Sequence, residues 1–172
     1  HIGLTRAYTF DATAGDRILV RAAEMTAAVE PCLFLYDDDG VLLADNQSYS
    51  LAELNAHELA TTGTHTLLVY DLQGDETGDF AVHLQRTHTP AGATPLGLDQ
   101  SLAGDVTLAA DSHPYMVGLA ARDRLLLRMS RSETTLAPEV RVYGPTGEML
   151  ESLAGNPMAD LDAFAAPATG LY

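Results

Sequence analysis

Apolar and polar side chains alternate over short stretches of this chain, which is the pattern of half-buried β-strands. Residues 16–22 and 123–129 show it most clearly, each following a polar turn. No stretch sustains the 3.6-residue spacing of an amphipathic helix. Residues 50–59 fit a strand least well, but their counterpart, 158–165 with Pro167 after it, favours an extended conformation. The pattern therefore predicts an all-β protein.

Two further strands are predicted at residues 64–71 and 79–86, which read as a hairpin around the loop 73–78. The second of these strands would place Phe80, Val82 and Leu84 on one face. Short strands at this density, separated by turns, are typical of a β-sandwich or a jelly roll.

The chain contains an internal repeat. Residues 8–65 align without gaps onto residues 115–172, and about 15 of the 58 aligned positions are identical. The identities cluster at strand starts and turns. In the aligned strands Leu33 and Leu35 correspond to Val140 and Val142, which predicts that this parity faces the core. The aligned turns 37–40 and 144–147 both end in glycine, where a positive φ is expected.

The repeat predicts two tandem, jelly-roll-like β-sandwich domains. We expect the first at residues 1–88, a linker rich in Pro, Gly, Thr and Ala at 89–104, and the second at 105–172. The alignment stops before any counterpart of 66–86, so the second domain is expected to be incomplete at its C-terminal strands. Such a unit would be completed by adjacent repeats or by strand addition from a neighbouring copy.

Four blocks of the first repeat resemble the bacterial pre-peptidase C-terminal domain family. They are a YxF strand at 8–10, AGDRILVR at 14–21, PCLFLYDDDGVLLA at 31–44 and TGTHTLLV at 62–69. The resemblance implies an extracellular or cell-surface β-sandwich without catalytic residues. Relatives serve in secretion, surface display or binding of polysaccharide or matrix, and some bind calcium.

Composition narrows the classes of partner. The formal net charge is −15, and all nine basic residues are arginines. So acidic a surface repels phosphate backbones, which disfavours nucleic-acid binding. The apolar runs are too short for a membrane span. There is no zinc-type histidine spacing, G-x-S-x-G elbow or phosphate-binding P-loop, so we expect no enzyme activity.

Two acidic loops are candidate calcium sites, because calcium binds several oxygens close together. The first holds Asp37, Asp38 and Asp39, whose counterparts in the second repeat are Gly144, Pro145 and Thr146; this favours a structural turn. The second loop is acidic as well, without the spacing of an EF-hand, and a plain loop is again favoured. Its candidate ligands are Asp71, Asp75, Glu76 and Asp79.

Cys32 and Phe34 are candidate interface residues. Strand parity places both on the outward face, opposite Leu33 and Leu35. An exposed apolar pair predicts contact with a neighbouring domain or subunit, and cover by a local loop is the alternative.

Four arginines recur at aligned positions on outward parity, and pairing with carboxylates across strands is favoured over a sugar-binding strip. They are Arg17, Arg21, Arg124 and Arg128. The chain has no Trp to form a sugar-binding platform. The sequence thus predicts a structural repeat module, with a polysaccharide-, matrix- or calcium-binding adhesion module as the alternative.

Overall fold

The structure, a computed structural model, describes residues 5–26 and 29–172. Every regular element in this part of the chain is a β-strand, and most pairings are antiparallel. The predicted all-β class is confirmed. The described residues include no helix that is long and apolar enough to cross a membrane.

The chain forms two compact units. The first unit comprises His1–Arg86 and Ser101–Pro114, and the second unit comprises Thr87–Gln100 and Tyr115–Tyr172. The stretch predicted to be a linker at 89–104 is divided between these units. Residues 105–114, predicted to begin the second domain, belong to the first unit, where Ala110, Asp111 and Ser112 contact the sheet.

The described part of the first unit has seven strands: β1 (Arg6–Ala12), β2 (Arg17–Glu24), β3 (Pro31–Tyr36), β4 (Leu42–Gln47), β5 (Leu51–Glu58), β6 (Gly63–Asp71) and β7 (Phe80–Arg86). They form one sheet in the order β1-β6-β3-β4 and a second in the order β5-β2-β7. Both sheets contribute to a single core. Its fully covered side chains include Ile18, Val20, Leu33, Leu35, Leu67 and Val69. Two sheets around one apolar core constitute a β-sandwich.

The predicted hairpin of residues 64–71 and 79–86 is wrong in its pairing. Both strands are present, but β6 pairs with β1 and β3, whereas β7 pairs with β2 in the other sheet. The connection thus crosses between sheets. Phe80 and Val82 then reach the core from the second sheet, while Leu84 lies exposed.

The second unit has eight short strands: β8 (Thr94–Pro95), β9 (Tyr115–Met116), β10 (Gly118–Leu119), β11 (Arg124–Ser130), β12 (Glu139–Tyr143), β13 (Met149–Ala154), β14 (Met158–Ala165) and β15 (Gly170–Leu171). They associate in pairs: β8 with β9 in parallel, and β10 with β15, β11 with β14 and β12 with β13 antiparallel. Leu119, Val142, Phe164 and Ala166 form a smaller core.

Backbone details recur at aligned positions of the two units. The amide of Leu59 donates to the Asp16 carbonyl at 2.8 Å, and the amide of the aligned Ala166 donates to the Asp123 carbonyl at 2.9 Å. The β2–β5 and β11–β14 pairings both shift register at the same place in the alignment. Because hydrogen bonds and bulges coincide, the strands of residues 115–172 can be compared directly with their counterparts in the first unit.

The two aligned turns have the predicted conformation. Gly40 has φ 77° and Gly147 has φ 86°, in the left-handed region that glycine occupies without a steric penalty. The turn before β2 differs. Gly15 has φ 90°, but the aligned residue Arg122 adopts φ 73° with a full side chain.

Candidate functional site

The acidic turn at 37–40 uses its first carboxylate to hold its own backbone. Asp37 Oδ1 accepts the amides of Asp39 at 3.1 Å and Val41 at 2.8 Å. The Asp37 carbonyl also accepts the Gly40 amide at 3.2 Å. This is the structural turn that comparison of the two repeats favoured, since the Asp37 side chain accepts hydrogen bonds from the backbone of its own turn.

The second acidic loop is organised around one buried carboxylate. Asp71 Oδ1 accepts the Glu30 amide at 2.9 Å, and Oδ2 accepts the Gly74 amide at 2.9 Å. Burial alone would raise the pKa of Asp71, but the backbone amides of Glu30, Glu76 and Gly74 lower it below its usual value. As a carboxylate anion, Asp71 therefore ties the backbone at Glu30, just before β3, to its own loop at Gly74. Asp75, Glu76 and Asp79 are exposed.

The carboxylates of the two loops do not gather into a group of three among the described residues. Within residues 5–26 and 29–172, no group of at least three His, Cys, Asp or Glu side chains converges on a common point. Asp37 and Asp71 each accept backbone amides of their own loop.

The predicted exposure of Cys32 is wrong. Its relative exposure is 0 %, so the apolar pair does not form an open surface. Cys32 lies between Gln47 and Tyr70 in the sheet, and Phe34, half-buried, stacks on Tyr70 with ring centroids 5.3 Å apart. Residues of this chain therefore cover Cys32. Burial, with nearby carboxylates led by Asp71, raises the pKa of the Cys32 thiol, which favours its protonated form.

Three of the four recurring arginines pair with carboxylates across strands, as predicted. Arg17 pairs with Glu58, and Arg21 Nε lies 3.3 Å from Glu53 Oε2. In the second unit Arg128 Nε lies 3.0 Å from Asp160 Oδ1, at the position aligned with the Arg21 pair. Arg124, the fourth recurring arginine, is exposed.

The two units differ in the number of strands that pair with their central strands. In the first unit β2 lies between β5 and β7, and β3 lies between β6 and β4. Among the described residues, their counterparts β11 and β12 each have one neighbour, β14 and β13 respectively. Each therefore presents a row of backbone amides and carbonyls without a strand partner on the other side.

Apolar side chains next to these edges are less covered than their counterparts. Leu19 is 2 % exposed, whereas the aligned Leu126 is 49 % exposed. Val140 is only half-buried at the position where Leu33 is fully covered. The open edges of β11 and β12, with the apolar residues beside them, are the candidate functional site.

A surface groove of about 410 Å³ lies beside the acidic turn of the first unit. It combines the Tyr36 ring with carboxylates and threonine hydroxyls. The lining residues are Tyr36, Asp37, Asp38, Gly40, Thr64, Thr66 and Leu68.

Comparisons with protein families, with curated proteins and with solved structures found no match to this chain.

Sequence reasoning missed the role of residues 101–114, which looked like part of a linker and the lead-in to a strand. The signal that could have revealed it is the run Leu108-Ala-Ala-Asp-Ser112. Small residues before an Asp are typical of a capped turn that packs closely on a surface.

Proposed function

We propose that this chain is a non-catalytic structural repeat module of a secreted or cell-surface bacterial protein. Its units are of the pre-peptidase C-terminal type, and they join to neighbouring units by strand addition, building an extracellular filament. The observation that carries the proposal concerns β11 and β12, which have a strand partner on one side only among the described residues. Their counterparts β2 and β3 are paired on both sides.

The physical drive for strand addition comes from the backbone and the core together. An incoming strand satisfies the amides and carbonyls along an open edge, and its alternate side chains cover the apolar residues beside it. The first unit supplies the template for such strands. β6 contributes Leu67 and Val69 beside β3, and β7 contributes Phe80 and Val82 beside β2.

The acidic composition sets the conditions for assembly. With a formal net charge of −15, copies of this chain repel one another at low ionic strength. At about 0.15 M salt the Debye length is about 8 Å, so contacts between edges outweigh distant repulsion. Assembly is therefore expected to strengthen as salt is raised.

Sedimentation velocity on the 172-residue chain, over a concentration series at physiological salt, tests the proposal. We expect species larger than the monomer that grow with concentration, and filaments by electron microscopy. A synthetic peptide of residues 64–72, which contains most of β6, should compete for the β12 edge and reduce the size. A scrambled peptide should not. A single monomeric species at every concentration would overturn the proposal.

The groove beside Tyr36 favours a second candidate function, a polysaccharide-binding module. An aromatic ring next to carboxylates and hydroxyls suits a sugar, which offers both an apolar face and hydroxyl groups. Titration calorimetry with acidic and neutral polysaccharides tests this alternative. Tyr36→Ala should abolish binding, and Tyr143→Ala, the matched change in the second unit, should leave it intact. Equal binding by the two variants would exclude the groove.

The calcium-binding alternative has a separate test. Thermal melting with calcium and with a chelator should give different melting temperatures if either acidic loop binds the ion. An unchanged melting temperature would contradict calcium binding by either loop.

A further inference from the structure

A short segment of the chain covers the outer face of the β5-β2-β7 sheet in the first unit. Arg21 Nη1 donates to the Asp111 carbonyl at 2.9 Å, while Arg21 Nε faces Glu53. The Arg21 side chain is only 16 % exposed as a result. Arg21 thus binds the backbone of this segment, and the Glu53 carboxylate pairs with the same guanidinium.

The segment crosses three successive rows of the sheet. Ala110, 1 % exposed, packs on the row formed by Ala81, Ala23 and Leu51. The Asp111 carbonyl meets the next row at Arg21, as described above. Ser112 Oγ donates to Gln85 Oε1 at 3.4 Å in the third row, where Gln85 pairs with Leu19. A small side chain and free carbonyls are therefore the features that this face binds.

The conformation of the segment is fixed by its own aspartate. Asp111 Oδ2 accepts the Thr107 hydroxyl at 2.9 Å and the Leu108 amide at 2.9 Å. The Asp111 amide in turn donates to the Leu108 carbonyl at 2.9 Å. Because this capped turn is closed by local hydrogen bonds, residues 107–112 form a preorganised ligand for the sheet.

The outer face of the second unit carries the same chemistry at the aligned positions. Leu126 and Arg128 are identical to Leu19 and Arg21. Ser130, Met158 and Asp160 replace Ala23, Leu51 and Glu53, so a small residue, an apolar residue and an acid are each retained. Arg128 is held by Asp160 in the same way, yet its side chain is 54 % exposed, and Leu126 and Met158 are exposed too.

We propose that the outer face of β11 and β14 is a docking surface for a capped-turn segment like residues 107–112. The occupant is the corresponding segment of a neighbouring repeat unit, so the inference rests on the proposed structural function. Arg128 would bind the backbone carbonyls of the segment, and the small side chain before the Asp would pack on Ser130 and Met158. A neighbouring unit would thereby bind the outer face of the sheet as well as its open strand edges.

Titration of the isotopically labelled 172-residue chain with a synthetic peptide of residues 105–114 tests the inference by NMR. We expect saturable shifts in β11 and β14, with β2 and β5 little affected because their face is already covered. Arg128→Ala should weaken binding about tenfold, since it removes a charge-assisted hydrogen-bond donor. A control peptide with Asp111→Ala should bind more weakly, because the turn loses its cap.

The outcomes separate this inference from the proposed function. No shifts in β11 and β14 at millimolar peptide, or equal binding by Arg128→Ala, would overturn the docking surface while leaving strand addition to the sedimentation test. Peptide binding by a chain that stays monomeric would support the docking surface and contradict assembly through the edges.

Discussion

Replacement of Asp71 by alanine should destabilise the first unit by about 3 kcal/mol. The carboxylate is 7 % exposed and accepts two amide hydrogen bonds of 2.9 Å, from Glu30 and Gly74. Each hydrogen bond to a charged group contributes about 1.5–3 kcal/mol. The lower value applies to each of the two bonds because the Gly74 amide can be rehydrated, and together they give the loss of about 3 kcal/mol.

Urea denaturation of Asp71→Ala and of the matched variant Asp75→Ala measures this effect. Asp75 lies in the same loop but is exposed, so its replacement should change the free energy of unfolding by less than about 0.5 kcal/mol. A loss below about 1 kcal/mol for Asp71→Ala, or equal losses for both variants, would refute the tethering role of Asp71.

The same carboxylate predicts a pH dependence. Although burial opposes ionisation, the backbone amides lower the pKa of Asp71 below its value of about 3.9 in the unfolded chain. Its stabilising contribution is therefore present above about pH 4 and lost as the pH falls through the lower pKa of the folded state. The stability difference between the native chain and Asp71→Asn should shrink over that acidic range, and a constant difference from pH 7 to about pH 2 contradicts the reasoning.

Two further predictions concern a turn and a histidine. Arg122→Gly should stabilise the second unit by about 0.5–1 kcal/mol, because it relieves a left-handed conformation. Gly15→Ala should destabilise the first unit by about 1 kcal/mol for the opposite reason. Calorimetric melting measures both changes, and stability changes of equal or reversed sign would exclude backbone strain as their cause. Burial, with His65 nearby, lowers the pKa of His57, so the unfolded chain protonates first and stability falls below about pH 6.5. His57→Gln should lose less stability between about pH 7 and pH 5 in denaturation experiments, and an unchanged slope would argue against this role.

The strands and their inward faces could be predicted because they depend on local alternation. Leu33 and Leu35 are fully buried, as their parity indicates, and β14 begins and ends at the predicted residues 158 and 165. The partner of a strand is a different matter. The alternation in residues 79–86 suits pairing with β6 or β2 equally well, and only packing of Phe80 and Val82 into the core decides between them.

Cover on the outer faces could not be predicted, because it depends on segments distant in sequence. Parity places Cys32 on the outward side, but it cannot reveal the aromatic stack of Phe34 and Tyr70 beside it. Likewise, Ala110 lies in the stretch predicted to begin the second domain. Its small side chain is what allows the backbone to approach the sheet closely enough to reach Arg21.

Hydrogen exchange at two chain concentrations tests the central claim most directly, because the internal repeat provides its own control. Amides of β11 and β12 should gain protection as concentration rises and a neighbouring unit adds strands to their open edges. The aligned strands β2 and β3, already paired on both sides, should exchange at the same rate throughout. Concentration-independent exchange in β11 and β12, under conditions where β2 and β3 stay protected, would contradict strand addition between units.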